Sequence, residues 1–332
     1  MESRMNFAVL RRPRTQAILD GRLELDGLPI RWRSVSDPLS WLRPSGERSR
    51  GILYGEFDGG EMSISSFMQA KAQGAPLLAL PVFLKRGLVQ RSLHCSIDSA
   101  LNFPEQLKQK RVGLVSYMSS MAVWARGVLG EEYDLSRSSP VWFTLTSSSQ
   151  RTQVIEIPKE FMGKEIQAWE ELDGYSHNLD RRECFLVSLL EIGDLDAIVS
   201  FHPRIASNNI RPLVNSEDDF WSYYQKKKIY PINHVFAVRE EIFSEFPNIG
   251  QVLLSTFKEA RKLWVDYLPE EKRDAIEKEM EKLGWDPFAC RLGEIEKRTL
   301  EAFIGYLLEE TLILQKLPVE KLFYQDSLQD KT

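Results

Sequence analysis

Residues 56–86, EFDGGEMSISSFMQAKAQGAPLLALPVFLKR, decide how the rest of the chain is read. The segment opens as a turn and passes into a helix start thick with hydroxyls. A helix, a short loop and an apolar strand follow. Ser63, Ser65 and Ser66 fall where the helix begins. Serine is favoured there because its oxygen accepts an otherwise unpartnered backbone N–H. Several serines beside free amides at a positive helix end also form a cradle for an anion. The apolar run PLLALPVF, residues 76–83, then delivers Lys85 and Arg86 to its own carboxyl end. In open α/β sheets that edge is where ligands sit. The plain alternative is a capped helix, a core strand and solvated basic residues.

Working outward, the same arrangement recurs. Residues 6–10 read as a strand, and RRPRTQAILDG (11–21) as a basic turn and short helix stopped by Gly21. Arg14 and Thr15 therefore stand at a strand-to-helix junction. LPIRWRSV (28–35) alternates as a half-buried strand does, and 37–50 reads as a helix with a polar loop. SLHCSI (92–97) is a further strand and 102–108 a short helix. RVGLVS (111–116) is a strand that runs into YMSSMAVWARGVLGEEY (117–133), a helix begun by Ser119 and Ser120. VWFTL (141–145) is a strand, 146–182 is polar and irregular, 184–192 is helical, and 196–200 is a short strand that leads into FHPRI. The segment 221–228 is helical, IYPINHVFAVREEIF (229–243) gives a loop, strand and helix start, and the remainder is mainly helical with breaks at Pro269 and Pro287. Strands alternating with helices indicate mainly parallel sheets. Two such sets and a helical tail suggest two lobes.

Composition narrows the function. A net charge of -5 and a pI near 5.6 argue against a general nucleic-acid binder. The three cysteines, Cys95, Cys184 and Cys290, lie far apart without CxxC spacing, so neither a zinc site nor a disulfide framework is expected. No apolar run is long enough to span a membrane. The first residues lead almost at once into a strand and lack the core of a signal peptide, so a cytoplasmic protein is expected. Motifs for nucleotide binding, zinc proteolysis and the nucleophile elbow are missing. None of the four histidines pairs with another at helical spacing, so no metal centre is expected.

Hydroxyls and cations at strand ends are what recur: Arg14 with Thr15, Ser65 with Ser66, Arg86, and Ser119 with Ser120. Arginine offers a bidentate fork matched to a carboxylate. If both lobes face one cleft, the set suits a compact anion such as one with two carboxylates, although arginines near turns are commonly only solvated. His234, before the strand VFAV, and His202, after DAIVS, could give or take a proton near neutral pH. Each could equally tie down a loop.

The blocks RTQAILDGR (14–22), EFDGGEMSISSFMQAKAQGAPLLALPVFLKR, RVGLVSYMSSMAVWARGVLGEEY, GDLDAIVS (193–200), YPINHVFAVREEIF and DPFACRLGEIEKRTLEAFIGYLLEETL (286–312) resemble, in order, the 4,5-dihydroxyphthalate decarboxylase family. The resemblance spans nearly the whole chain. It implies an α/β, two-lobed fold like the type II periplasmic solute-binding proteins, with the ligand cleft between the lobes and a helical C-terminal segment. Lobe one would comprise 1–95 and 205–332, and lobe two 96–204. The implied cleft is lined by Arg14, Thr15, Ser65, Ser66, Arg86, Ser119, Ser120 and His234. The chain departs from the family pattern in three places. Pro13 stands where an acidic residue is usual, Val89 and Gln90 replace an Arg-His pair, and Glu310 and Thr311 replace a Gln-Gly pair.

The expected activity is a decarboxylase that works without a cofactor on an aromatic or other small di- or polycarboxylate. Arg14 and Arg86 would bind carboxylates and the serines would orient the substrate. His234, with His202 second, would supply the proton. A non-catalytic small-anion binding protein shares the same fold, as do menaquinone-pathway enzymes and the thiamine pyrimidine synthase, whose cysteine-rich motif is missing here. Leu300, Phe303, Ile304 and Leu307 could pack on lobe one or form a homodimer face.

Overall fold

The structure is a computed structural model and describes residues 5–23, 27–35, 56–137, 139–145, 153–154, 181–200, 209–214 and 217–325. The expected helix at 37–50, most of the irregular stretch at 146–182, and His202 lie outside these residues.

The chain begins with strand β1 (Met5–Leu10), helix α1 (Pro13–Leu19), β2 (Ile30–Val35), β3 (Gly59–Ser63), α2 (Ile64–Ala72) and β4 (Leu77–Arg86). Pro13 opens α1, where its missing N–H does no harm, and Gly21 follows with a φ of 68°. Next come β5 (Leu93–Ser96), β6 (Arg111–Leu114), α3 (Ser120–Glu132), β7 (Val141–Thr144), β8 (Gln153–Val154), α4 (Arg181–Glu191), β9 (Ala197–Val199) and β10 (Ile210–Pro212). The chain ends with α5 (Glu217–Lys227), β11 (Ile232–Arg239), α6 (Glu240–Glu245), α7 (Ile249–Leu263), α8 (Glu270–Leu283) and α9 (Glu294–Glu309).

These strands build two sheets, ordered β2-β1-β3-β11-β4 and β10-β5-β9-β6-β7-β8. In the first, β1 runs parallel to β2 and β3, and β11 is inserted antiparallel between β3 and β4. Successive residues alternate between two apolar layers. Phe7, Val9, Leu80, Val82, Phe236 and Val238 enter one, while Ala8, Ala79, Phe83, Val235 and Ala237 enter the other. Burial on both faces explains why β4 reads as a continuous apolar run.

The chain leaves the first sheet after Arg86 and returns at Ile232. β5 and β10 pair with each other inside the second sheet. The boundary expected at 95 therefore falls within β5, and the one expected at 205 comes before β10 has joined its sheet. Residues 56–62, read as a turn, also contain a strand. Gly59 and Gly60 open β3, and a Cβ at Gly59 would lie 2.5 Å from the carbonyl oxygen of Ala237. Gly59 therefore marks a close approach of backbones rather than a bend.

The C-terminal helices pack within the chain. Leu300, Phe303 and Leu307 are 0% exposed and Ile304 is 1% exposed, so these residues do not make a homodimer face. The Trp124 ring of α3 lies 5.0 Å from Phe303 and 5.7 Å from Tyr306 of α9, and Trp124 Nε1 donates to the Ile232 carbonyl at 2.8 Å. Arg126 donates to both carboxylate oxygens of Glu310 and lies over the Tyr117 ring. The first helix of the second lobe is thus clasped by elements of the first.

Candidate functional site

The carboxyl ends of β1, β3 and β4 and the start of antiparallel β11 share one edge of the first sheet. This edge gathers Leu10, Ser63, Lys85, Arg86 and His234. In register, His234 lies opposite Ser63 on one side and Lys85 on the other.

Two groups of side chains meet there. In the first, Glu61 Oε1 receives Arg12 Nη1 at 2.5 Å and His234 Nδ1 at 2.5 Å, while the Leu10 amide donates to Oε2 at 3.1 Å. Glu61 has no exposed surface. Burial pushes its carboxyl up, but the Arg12 charge, the His234 hydrogen bond and the Leu10 amide outweigh that and hold it near 2. Burial pushes His234 down to about 4; the Glu61 bond opposes this, and the Arg12 and Lys85 charges add to it.

In the second group, Ser63 caps α2 and its hydroxyl meets that of Ser120 at 2.7 Å. The Ser65 amide donates to Ser120 Oγ at 3.2 Å, and Gln69 Nε2 donates to Ser65 Oγ at 2.9 Å. Ser119 caps α3 by accepting from the Ala122 amide at 3.3 Å. The two hydroxyl-rich helix starts, one from each half of the fold, therefore face each other. Each brings the positive end of its peptide dipoles.

The other expected residues behave differently. The Thr15 hydroxyl donates to the Leu10 carbonyl at 2.5 Å and accepts from the Arg12 amide, so it serves the cap of α1. The Ser66 amide reaches Ser63 Oγ at 3.5 Å within the α2 cap. Arg14 donates to the Leu84 carbonyl at 2.9 Å, and its guanidinium lies 3.5 Å from the Phe288 ring centroid and 4.8 Å from that of Trp264. Arg86 is a correction to the expected carboxylate clamp. Its side chain is fully buried and bonded to Glu296 at 2.9 Å, to the Pro287 carbonyl at 3.0 Å and to the Tyr230 carbonyl at 2.9 Å. It serves as an internal strut because, next to Lys85 on the strand, it points the other way, into the aromatic packing of Phe83, Tyr230 and Trp285. On the first crossing, Val89 and Gln90 are buried, and both amide atoms of Gln90 lack a partner among the described residues.

The residue signals missed in the sequence are Arg12 and Glu61. An acid between Gly60 and Met62, just ahead of an apolar helix, was the available sign, because a carboxylate is rarely fully buried unless paired. Among the described residues no three His, Cys, Asp or Glu side chains converge as a metal site. A shallow cavity of about 270 Å³, lined by Ile18, Leu23, Ile30, Trp32 and Thr256, lies beside β2 and contains none of the site residues.

The two sheets and their order define the class: a two-lobed protein with the fold of the periplasmic binding proteins. Solved structures agree in fold. The periplasmic aliphatic sulphonate binding protein SsuA of Escherichia coli matches with a TM-score of 0.58 at 12% identity, over 98% of this chain and 99% of that one. The desulfurization enzyme DSZB, as a mutant in complex with biphenyl-2-sulfinic acid, also matches with a TM-score of 0.58, at 15% identity and over 98% of both chains. Within that class, the chain is similar over almost its whole length to a 4,5-dihydroxyphthalate decarboxylase of Comamonas testosteroni, at 22% identity over 98% of this chain and 97% of the relative. A second enzyme of that name, from Pseudomonas putida, is 26% identical over 61% of this chain and 71% of its own length. No family model matches the chain.

Proposed function

We propose that the protein is a decarboxylase, acting without a cofactor on an aromatic, dihydroxyphthalate-like carboxylate or another small di- or polycarboxylate. The observation that carries this reading is the meeting, at one sheet edge, of a histidine braced by a buried glutamate with two hydroxyl-rich helix starts. The similarity to two decarboxylases supports the reaction type.

Decarboxylation needs a place for the electron pair that the departing CO2 leaves behind, and a proton for the carbon. On a hydroxyaryl carboxylate, protonation of the ring carbon gives a ketone-like tautomer, and aromaticity returns as CO2 leaves. The amides and hydroxyls of the α2 and α3 starts, around Ser63, Ser65, Ser119 and Ser120, hold a spectator carboxylate. Arg12 and Lys85 add positive potential, and Arg14 of α1 donates to the Leu84 carbonyl near the end of β4. His234 delivers the proton through Nε2, because Nδ1 is committed to Glu61.

His234→Ala should lower the rate of CO2 release by about 10²–10⁴-fold while leaving dicarboxylate binding in place. Turnover at the unaltered rate would remove His234 from the mechanism. The solute-binding reading, favoured by the fold shared with SsuA, instead requires ligand binding with no CO2 released by the unaltered protein.

A further inference from the structure

We infer that His234 rests without a proton on Nε2 and gains one when an anionic substrate enters, so that binding itself loads the acid that the reaction consumes. The inference rests on the decarboxylase reading and adds where its proton comes from.

The hydrogen-bond pattern fixes the resting tautomer. Glu61 is surrounded by donors: the Leu10 amide on Oε2, and Arg12 on the same Oε1 that meets the imidazole. An ionised carboxylate only accepts, so Nδ1 must carry the hydrogen in this bond. Nε2 is then the nitrogen left to work, as a lone pair in the neutral ring.

Charge balance explains why the ring stays neutral. Among the described residues, the charged groups facing it are Glu61 on β3, Arg12 ahead of α1 and Lys85 on β4; Ser63 on β3 is uncharged. The Arg12 and Lys85 charges oppose a further positive charge on the ring, and an imidazolium would form in a place that burial shields from water. A dicarboxylate seated at the adjacent helix starts favours that charge instead. By linkage, an anion that favours the protonated ring is itself bound more tightly when the ring is protonated. Burial alone already drives the free ring well below neutrality.

The reaction balances on this supply. The proton on Nε2 forms the new C–H bond, the carbon–carboxylate bond breaks, its electron pair returns to the ring and CO2 leaves: R–CO2⁻ + H⁺ → R–H + CO2. His234 ends neutral, and the next substrate reloads it. Glu61 never gives up its charge and acts as a positioning residue.

Two measurements test this. The first is nitrogen-15 NMR of the histidine rings in the ligand-free protein at pH 7, with His234 assigned by its loss in His234→Gln. The expected ring is neutral with its hydrogen on Nδ1. In Glu61→Gln, whose amide can donate or accept, that single tautomer should be lost. An imidazolium at pH 7 in the unaltered protein would overturn the inference. The second is calorimetric titration with phthalate in Tris and in triethanolamine, buffers with different ionisation heats. The expected uptake approaches one proton per phthalate, absent in His234→Gln, with affinity falling about tenfold per pH unit on the alkaline side. Phthalate binding with no proton taken up would also overturn it. A neutral ring that takes up a proton with phthalate, in a protein that releases no CO2 from hydroxyphthalates or other small dicarboxylates, upholds the loading and removes the decarboxylase reading, so the two failures are separable.

Discussion

Glu61 is a carboxylate with no exposed surface, and donors on both of its oxygens keep it charged. The same contacts make the site sensitive to acid. His234 titrates near 4 in the folded protein against an ordinary 6.5, because burial disfavours its charge. Between those values the unfolded chain binds more protons than the native one, so stability falls as pH drops from 6.5 towards 4. Glu61, held near 2 against 4.5, adds a further loss below about pH 4.5. The histidine contribution is on the order of 3 kcal/mol. Urea unfolding at pH 7 and pH 4.5 should show the protein weaker in acid, and His234→Gln should flatten that slope. An equal slope in the variant would show that other groups set the acid limit. Much of this was hidden in the sequence. His234 stood out as a lone histidine ahead of a strand, but its partner lies across the sheet from it in β3. Only the pairing of β3 with β11 brings them together, and local pattern carries no information about which strands will pair.

At the scale of single elements, β4 shows where pattern misleads. The apolar run ending in Lys85 and Arg86 reads as a strand delivering two cations to a ligand edge. The strand is there, but alternate residues point to opposite faces. Lys85 stands beside His234, while Arg86 turns inward to Glu296 of α9. Arg86 is a fixed charge in an apolar setting, and removing its partner leaves it uncompensated. Glu296→Ala should therefore cost about 3–5 kcal/mol. Replacing Arg86 and Glu296 together by Met and Leu should cost much less, because neither charge is then stranded. Equal losses in the single and double variants, read by denaturant midpoint, would show that packing rather than charge dominates. The helix starts, by contrast, were legible. Serine at Ser63 and Ser119 is read as an N-cap by local chemistry alone, and both caps form. That the two caps touch through Ser120 could not be read, because it depends on how the lobes dock.

Across the whole molecule, the alternation of strands and helices was enough to expect two α/β lobes with a helical tail. The exact crossings were not, because β5 and β10 are short and hold their place by pairing with each other. One apolar core runs through both lobes, joining Phe67 and Ala79 of the first to Val112, Trp124 and Ala197 of the second and to Phe303 of α9. The lobes should therefore unfold together. A single transition, coincident by tryptophan fluorescence and far-ultraviolet circular dichroism, is expected. Trp124→Ala removes a fully buried ring from the clasp between lobes, should cost about 3–5 kcal/mol, and should separate the transitions. Two well-resolved transitions in the unaltered protein would show that the shared core does not couple them.

The place of β11 has a consequence for how the chain comes off the ribosome. β3 and β4 are neighbours in sequence, yet neither pairs with the other; β11 lies between them and is made only after the whole second sheet. Until it emerges, β3 lacks its second neighbour and β4 presents an unpaired apolar edge. The second lobe can finish first, as an insertion nested inside an incomplete one. During that interval, β4 is the segment most exposed to pairing with the wrong strand. The alternation that buries it on both faces in the finished sheet makes it the part of the nascent chain most in need of a chaperone.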